Sequence, residues 1–126
     1  MKLISKVALL SVGLVMSVSA FANLVGNWQT YEDGKPKAVV KITESGGVYT
    51  GVIISGNTEK AKQHIGKTVI TGLKENGSGK YSGGKITDPV NGKTYSLAAT
   101  LNGNTLKLRG YIGAKALGRT QTWQKK

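Results

Sequence analysis

Few residues of the kinds that perform acid–base, nucleophilic or metal chemistry occur in this sequence. His64 is the only histidine, cysteine is absent, and aspartate and glutamate together number six. A zinc site built from paired histidine or cysteine ligands therefore has no ligand set. Glu32 and Asp33 are strand neighbours that would point to opposite faces, so they do not form an acid–base pair. No nucleophile elbow and no complete phosphate-binding loop is present. We expect no catalytic residue, no metal, no cofactor and no enzymatic activity.

Two groups of residues remain as candidates for binding. Asp88, Asn91 and Tyr95 cluster around a loop, although Asp-Pro and Asn-Gly sequences are also ordinary turn chemistry. Arg109 and Tyr111 share one face of a later strand. A basic and aromatic surface of this kind can bind a sugar phosphate or a nucleic-acid base. A barrel wall with one solvated face shows the same pattern, so both interpretations stay open.

Positive charge dominates the composition. The chain has 18 basic and 6 acidic residues, a net charge of +12, which becomes +10 when Lys2 and Lys6 are removed with a predicted leader. The lysines are spread along the sequence. Such a field attracts anionic partners over long range. Outward lysines on strands also keep a small β-domain soluble and discourage edge pairing, which is the simpler interpretation.

The elements that must position these residues are short strands with period-two alternation and almost no helical periodicity. Tight-turn signals such as Ser45-Gly46-Gly47 and Asn102-Gly103 separate them. About eight strands are predicted, at residues 25–32, 38–44, 48–54, 68–74, 80–87, 94–101, 106–112 and 119–125. This number favours a small antiparallel up-and-down β-barrel, with a two-sheet sandwich as the alternative. Residues 55–66 form the one long polar connection, in which residues 59–64 could make a helical turn or a lid, or serve as a solvated spacer.

The two ends of the pattern carry a possible closure. Gly26 and Trp28 open the first strand, while Arg119 and Trp123 belong to the last. In a closed barrel these strands are neighbours, so the Arg119 guanidinium is expected to cover the Trp28 ring. This arrangement resembles the calycin superfamily of lipocalin-like barrels, in which a G-x-W start and a late arginine close the base. The resemblance implies that these four residues are structural.

A second resemblance covers most of the chain. It rests on Gly26-Asn27-Trp28 with Glu32-Asp33-Gly34, on Ile65-Gly66 and Gly72-Leu73-Lys74, on the run Gly83-Gly84-Lys85-Ile86 with Asp88-Pro89-Val90-Asn91-Gly92-Lys93-Thr94-Tyr95, and on Leu106 to Gly113 followed by Gly118 to Trp123. On these residues the chain resembles a bacterial family of exported proteins catalogued as domain of unknown function 2147. The resemblance implies export and a small β-barrel, and it brings no activity with it.

The first 22 residues have the three parts of a secretory signal peptide. Lys2 and Lys6 supply positive charge, residues 7–18 are largely apolar, and Ala20-Phe21-Ala22 places small residues at a cleavage site. A membrane-spanning helix needs roughly 20 apolar residues, and this run is shorter. We therefore predict a signal peptide at 1–22, cleavage after Ala22, a single β-barrel domain at 23–126, and a periplasmic or secreted location.

We expect a binding module whose barrel holds a small apolar or amphipathic ligand, provided that side chains leave the interior open. The alternative is an interaction protein whose basic surface binds anionic envelope components or an acidic protein partner. Neither nucleic acid nor a membrane span of the mature chain is expected.

Overall fold

A computed structural model describes residues 24–126, so the predicted signal peptide lies outside the described residues. The chain forms eight antiparallel strands that pair in sequence order and close into a barrel, because β8 returns to pair with β1. The strands are β1 (Gly26–Glu32), β2 (Lys35–Ser45), β3 (Val48–Gly56), β4 (Thr68–Glu75), β5 (Lys80–Thr87), β6 (Thr94–Asn102), β7 (Thr105–Tyr111) and β8 (Arg119–Lys125). The predicted up-and-down barrel is confirmed, and the two-sheet alternative is wrong.

The connections divide the barrel into two ends. We call the end that carries residues 33–34, 57–67, 88–93 and 112–118 the mouth, and the opposite end, with residues 46–47, 76–79 and 103–104, the base. The base turns are short hairpins. At Gly46 and Gly47 the φ angles are 60° and 85°, which is the conformation that two-residue hairpin turns require. The three longest connections, residues 57–67, 88–93 and 112–118, all lie at the mouth.

Helical structure is confined to two mouth connections. Helix α1 (Glu59–Lys62) begins after Thr58, whose hydroxyl accepts a hydrogen bond from the Ala61 amide at 3.0 Å. A 3-10 turn at Lys115–Leu117 precedes β8. Within the described residues, no helix is both long and apolar enough to cross a bilayer.

Large apolar side chains fill the base. Trp28, Ile42, Leu73, Leu97 and their neighbours are fully buried in one continuous core. The rings of Tyr49 and Tyr81 meet edge to face, with centroids 5.4 Å apart and planes at 87°. Edge-to-face contacts add stability beyond the burial of apolar area. The base is therefore a packed core with no space for a ligand.

The barrel closes along a short seam between β1 and β8. Trp28 pairs with Lys125 and Gln29 with Gln124. The Trp28 ring is fully buried, and its Nε1 donates to the Leu24 carbonyl oxygen at 2.8 Å. Lys125 Nζ lies 5.0 Å from the centroid of that ring and donates to the Val25 carbonyl oxygen at 2.8 Å. A lysine and a tryptophan thus join the first and last strands.

The prediction that the Arg119 guanidinium covers the Trp28 ring is therefore wrong, because the cation at this ring is Lys125. Arg119 pairs with Gly110 at the mouth, six positions before Lys125 on the same strand. Six residues of a strand span roughly 20 Å, so the guanidinium is beyond reach of the ring. Gly26 does belong to the closure, because a Cβ there would lie 2.8 Å from Lys125 Nζ. Trp123 is buried opposite Leu106 on β7 and contributes to the core.

Candidate ligand-binding cavity

A cavity of about 640 Å³ opens at the mouth of the barrel. Its origin is a decrease in side-chain size along the inward positions of three strands. From base to mouth, these positions carry Trp28 then Thr30 on β1, Ile42, Val40 and Ala38 on β2, and Leu106, Leu108 and Gly110 on β7. The same alternation that packs the base therefore leaves the mouth half open. Ligand pockets typically have volumes of roughly 300–1,000 Å³.

The deeper wall of this cavity is apolar. Val40, Ile53, Val69 and Trp123 line it and are buried in the barrel core, and the half-buried Ile86 packs against them. None of these side chains carries a charge. A ligand that reaches this depth must therefore present an apolar group, because an unpaired polar group would lose its hydrogen bonds to water there.

The rim is polar. Of the predicted binding residues, Tyr95, Tyr111, Asp88 and Asn91 all line the cavity, so the structure brings four of the five together. Tyr95 lies opposite Ile86, near the start of β6, and its side chain lines the cavity. Cations also reach the rim, and one of them, Lys37, forms an ion pair with Glu32 at 3.3 Å. Arg119, which was predicted to be structural, is instead an exposed residue of this rim.

The side-chain oxygens of Asp88 and Asn91 are engaged in turn structure. Asp88 Oδ1 accepts from the Val90 amide at 2.8 Å, and Asn91 Oδ1 accepts from the Lys93 amide at the same distance. Both contacts span two residues, as in an Asx turn. These residues stabilise the rim loop through their side chains. This agrees with the turn interpretation, which the sequence had left open beside a binding role.

Arg109 does not enter the cavity. It lies on the outer face of β7, where its Nε donates to the Lys115 carbonyl oxygen at 3.0 Å and its Nη2 to the Ala116 carbonyl oxygen at 2.9 Å. Its Nη1 donates to Thr120 Oγ1 at 2.8 Å. The guanidinium fork holds the 3-10 turn before β8, and the far side of that turn lines the cavity at Leu117. Arg109 and Tyr111, predicted to form one binding surface, are therefore separated: Tyr111 lines the cavity, whereas Arg109 supports the rim from outside.

The connection 57–67 forms the predicted helical turn and packs beside the barrel. Ala61 is buried in the core, and Gln29 Nε2, itself almost fully buried, lies 2.9 Å from Asn57 Oδ1. No residue from 57 to 67 is among those that line the cavity. Within the described chain, this segment is therefore a covering of β2 and β3, and the lid interpretation is wrong.

Two pKa values depart from their usual range, and both belong to the base. Burial raises the pKa of Tyr81 from 10.0 to about 12, with smaller contributions from Tyr49 and from the Glu75 carboxylate. Burial likewise raises the pKa of Tyr49, with Glu44 and Glu75 adding to the effect. Both phenols stay neutral at physiological pH, so neither adds a charge to the packed base.

Sequence reasoning found the rim and missed the cavity wall. Ala38, Val40, Ile53 and Val69 were assigned to strands without a functional role. The signal that could have identified them is the decrease in size at alternate positions, such as Ile42, Val40 and Ala38, once the strand direction is known.

Comparison with known proteins agrees with this architecture. A family model described as "Uncharacterized protein conserved in bacteria (DUF2147)" matches residues 26–125. No curated protein sequence matches the chain. Among solved structures, the chain is similar to protein HP1028 from Helicobacter pylori, which is described as belonging to the lipocalin family. The two share 24% identity with a TM-score of 0.68, over 83% of this chain and 84% of that chain, and this likeness shows the fold. Because the family model spans all eight strands, the chain belongs to the DUF2147 family.

Proposed function

We propose that this protein is a binding module that holds a small apolar or amphipathic molecule in the mouth cavity. The observation that carries the proposal is the cavity itself, about 640 Å³ in volume, with an apolar inner wall and a polar rim. Closed eight-stranded barrels have an interior just wide enough for side chains or for one small ligand. Here side chains fill one half of the interior and leave the other half open.

The distribution of polar groups defines the ligand more closely. Burial of apolar ligand surface against the inner wall contributes roughly 25 cal/mol of binding free energy per Å². Charged and hydrogen-bonding groups occur at rim residues such as Tyr95, Asn91 and Arg119, and Thr30 and Gln121 add polar groups to the cavity lining. A ligand that matches both regions has an apolar body, placed against Val40 and Val69, and a polar end near the rim. The likeness of the fold to a lipocalin-family barrel supports a ligand-binding role.

We also propose that the protein works outside the cytoplasm, in the periplasm or as a secreted protein. The support is the signal-peptide pattern of residues 1–22. Cleavage after Ala22 would leave every strand intact, since β1 begins at Gly26. Mass spectrometry of the protein recovered from the periplasm and the medium tests this, and a chain that keeps residues 1–22 in the cytoplasm would contradict it.

Binding is tested with N-phenyl-1-naphthylamine, an uncharged apolar dye that becomes fluorescent when it leaves water. The purified domain should enhance its emission, and Trp123, which lines the cavity, should transfer energy to it. Ala38→Phe places a ring into the cavity from a buried inward position and should weaken dye binding at least tenfold. Thr122→Phe is the matched control, because Thr122 is exposed on the outer face of β8.

Unfolding curves of both variants show whether the barrel has kept its stability. Equal dye binding by the wild type, Ala38→Phe and Thr122→Phe would place the dye outside the cavity and contradict the proposal. Absence of any dye binding by a folded wild-type domain, with no displacement by amphipathic competitors, would contradict it as well.

A further inference from the structure

Exposed apolar side chains are concentrated at the mouth. Within residues 24–126, seven large apolar or aromatic residues are exposed, and only Val25 belongs to the base end. The other six are Tyr31, Ile54, Ile65, Val90, Ile112 and Leu117. Single exposed apolar residues scattered over a surface need no explanation, but several of them at one end of a domain indicate an interaction site.

The most exposed of these residues are presented by well-bonded turns. Leu117 is 81% exposed, on the 3-10 turn whose carbonyl oxygens accept from the Arg109 guanidinium. Val90 is 66% exposed, between the two Asx turns of Asp88 and Asn91. Because hydrogen bonds hold these backbones, their apolar tips are fixed in water and cannot fold back into the core without breaking those bonds.

Ile112 and Ile65 extend the same surface. Ile112 is 71% exposed and lines the cavity entrance together with Leu117. Ile65 is 50% exposed on the α1–β4 connection. That connection reaches the β5–β6 loop through Lys67, whose Nζ donates to the Pro89 carbonyl oxygen at 3.2 Å. Three loops at the mouth thus carry exposed apolar side chains, which we call the rim patch: Ile65, Val90, Ile112 and Leu117.

Basic residues outnumber acidic ones near the rim patch. The three loops and the first residue of β8 carry six basic residues and two acidic ones. One acidic residue, Glu59, forms an ion pair at 3.0 Å with Lys62, which is one of the six basic residues. The other, Asp88, holds its own turn. The basic residues are Lys60, Lys62, Lys67, Lys93, Lys115 and Arg119. Exposed apolar side chains together with an excess of basic residues suit a surface that binds an anionic bilayer.

We propose that the mouth of the barrel docks on an anionic lipid bilayer. The rim patch enters the boundary between headgroups and acyl chains, and the nearby lysines meet the lipid phosphates. In this orientation the cavity faces the membrane, so an amphipathic molecule can pass between the bilayer and the barrel without crossing water. That last step rests on the proposed function, whereas docking rests on the surface alone.

Docking is tested by co-sedimentation with vesicles of phosphatidylcholine alone and vesicles that also contain phosphatidylglycerol. Binding should require the anionic lipid and should fall as salt rises, because exposed charges are screened. The double variant Ile112→Ser, Leu117→Ser should lose about tenfold or more in partition coefficient, since full burial of one such side chain corresponds to roughly a factor of ten. Val25→Ser, at the base, is the matched control.

A second pair of variants separates charge position from total charge. Lys93→Gln with Lys115→Gln removes two cations at the mouth, and Lys74→Gln with Lys80→Gln removes two at the base. The mouth pair should lower binding to anionic vesicles at least fivefold more than the base pair, since each lysine near the surface contributes about 1 kcal/mol. Equal losses would overturn the docked orientation.

Three further outcomes would overturn the proposal: no binding to anionic vesicles, equal binding by the rim-patch double variant, or lipid-free self-association that this variant abolishes. The last outcome would make a second copy of the chain the occupant of the patch. Dye binding measured without vesicles distinguishes the two proposals. If the dye binds and vesicles do not, only docking fails. If vesicles bind and Ala38→Phe leaves dye binding unchanged, only the cavity proposal fails.

Discussion

Replacing Lys125 with methionine tests the seam between β1 and β8 directly. Methionine keeps the unbranched apolar stem and removes the ammonium group, which lies 5.0 Å from the Trp28 ring centroid and 2.8 Å from the Val25 carbonyl oxygen. A cation–π contact contributes about 0.5–1 kcal/mol where it is exposed and more where it is desolvated. A hydrogen bond from a charged donor adds a similar amount at a partly exposed site. We expect Lys125→Met to lower the free energy of unfolding by about 1–2 kcal/mol.

The assay is urea unfolding followed by tryptophan fluorescence. The midpoint should fall with no change in the slope, since the same surface is exposed on unfolding. Each kcal/mol should lower Tm by roughly 4–8 °C in a domain of this size. Lys125→Arg should remain near the wild type, and Arg119→Met should change stability by less than about 0.5 kcal/mol. A larger loss in Arg119→Met than in Lys125→Met would refute the assignment of the cation.

Three further outcomes follow from contacts described above. Arg109→Lys keeps the charge but loses the paired guanidinium contacts to the Lys115 and Ala116 carbonyl oxygens. Hydrogen exchange at the Gly118 amide, which donates to the Lys115 carbonyl oxygen, should therefore accelerate while the core amides are unchanged. Equal exchange in both proteins would show that the guanidinium does not stabilise the turn. Between pH 10 and 12 the folded domain keeps the Tyr81 proton that the unfolded chain loses, so the contribution of Tyr81 to stability should fall as the pH rises, and Tyr81→Phe should reduce that fall in pH-dependent urea unfolding. Gln29→Leu removes a buried donor that lies 2.9 Å from Asn57 Oδ1, and its unfolding free energy should drop by about 1–3 kcal/mol, whereas an unchanged value would mean that water replaces the amide.

The strand pattern was predictable because alternation and turn residues are local properties. Ile42, Val40 and Ala38 read as one face of a strand from the sequence alone, and Gly46-Gly47 marks the hairpin that follows. All eight strands of the structure correspond to such segments. Closure followed from their number and from the short turns between them.

The partner of Trp28 could not be predicted, because it depends on the register of β8 against β1. Nothing local sets that register, since the two strands are joined only through the rest of the barrel. Arg119 and Lys125 lie on the same strand, and each could face the ring in a different register. The observed pairing of Trp28 with Lys125 decides between them.

The role of Arg109 was missed for a related reason. Alternation correctly places it on the outer face of β7, together with Lys107. What it contacts there depends on how residues 112–118 fold back over the barrel, and the sequence of that loop has no alternating apolar pattern from which its path could be predicted. The sequence therefore placed Arg109 on the right face, while the loop that it holds was visible only in three dimensions.

The narrow β1–β8 seam has a consequence for how this domain folds. The contact from Lys125 to Val25 joins residues 100 positions apart, and only two residue pairs continue the ladder there. Before they meet, β1 and β8 each present an unpaired edge to any other strand nearby. A chain truncated before β8 would leave the edges of β1 and β7 unpaired, and we expect it to aggregate or to be degraded instead of persisting as a seven-stranded sheet.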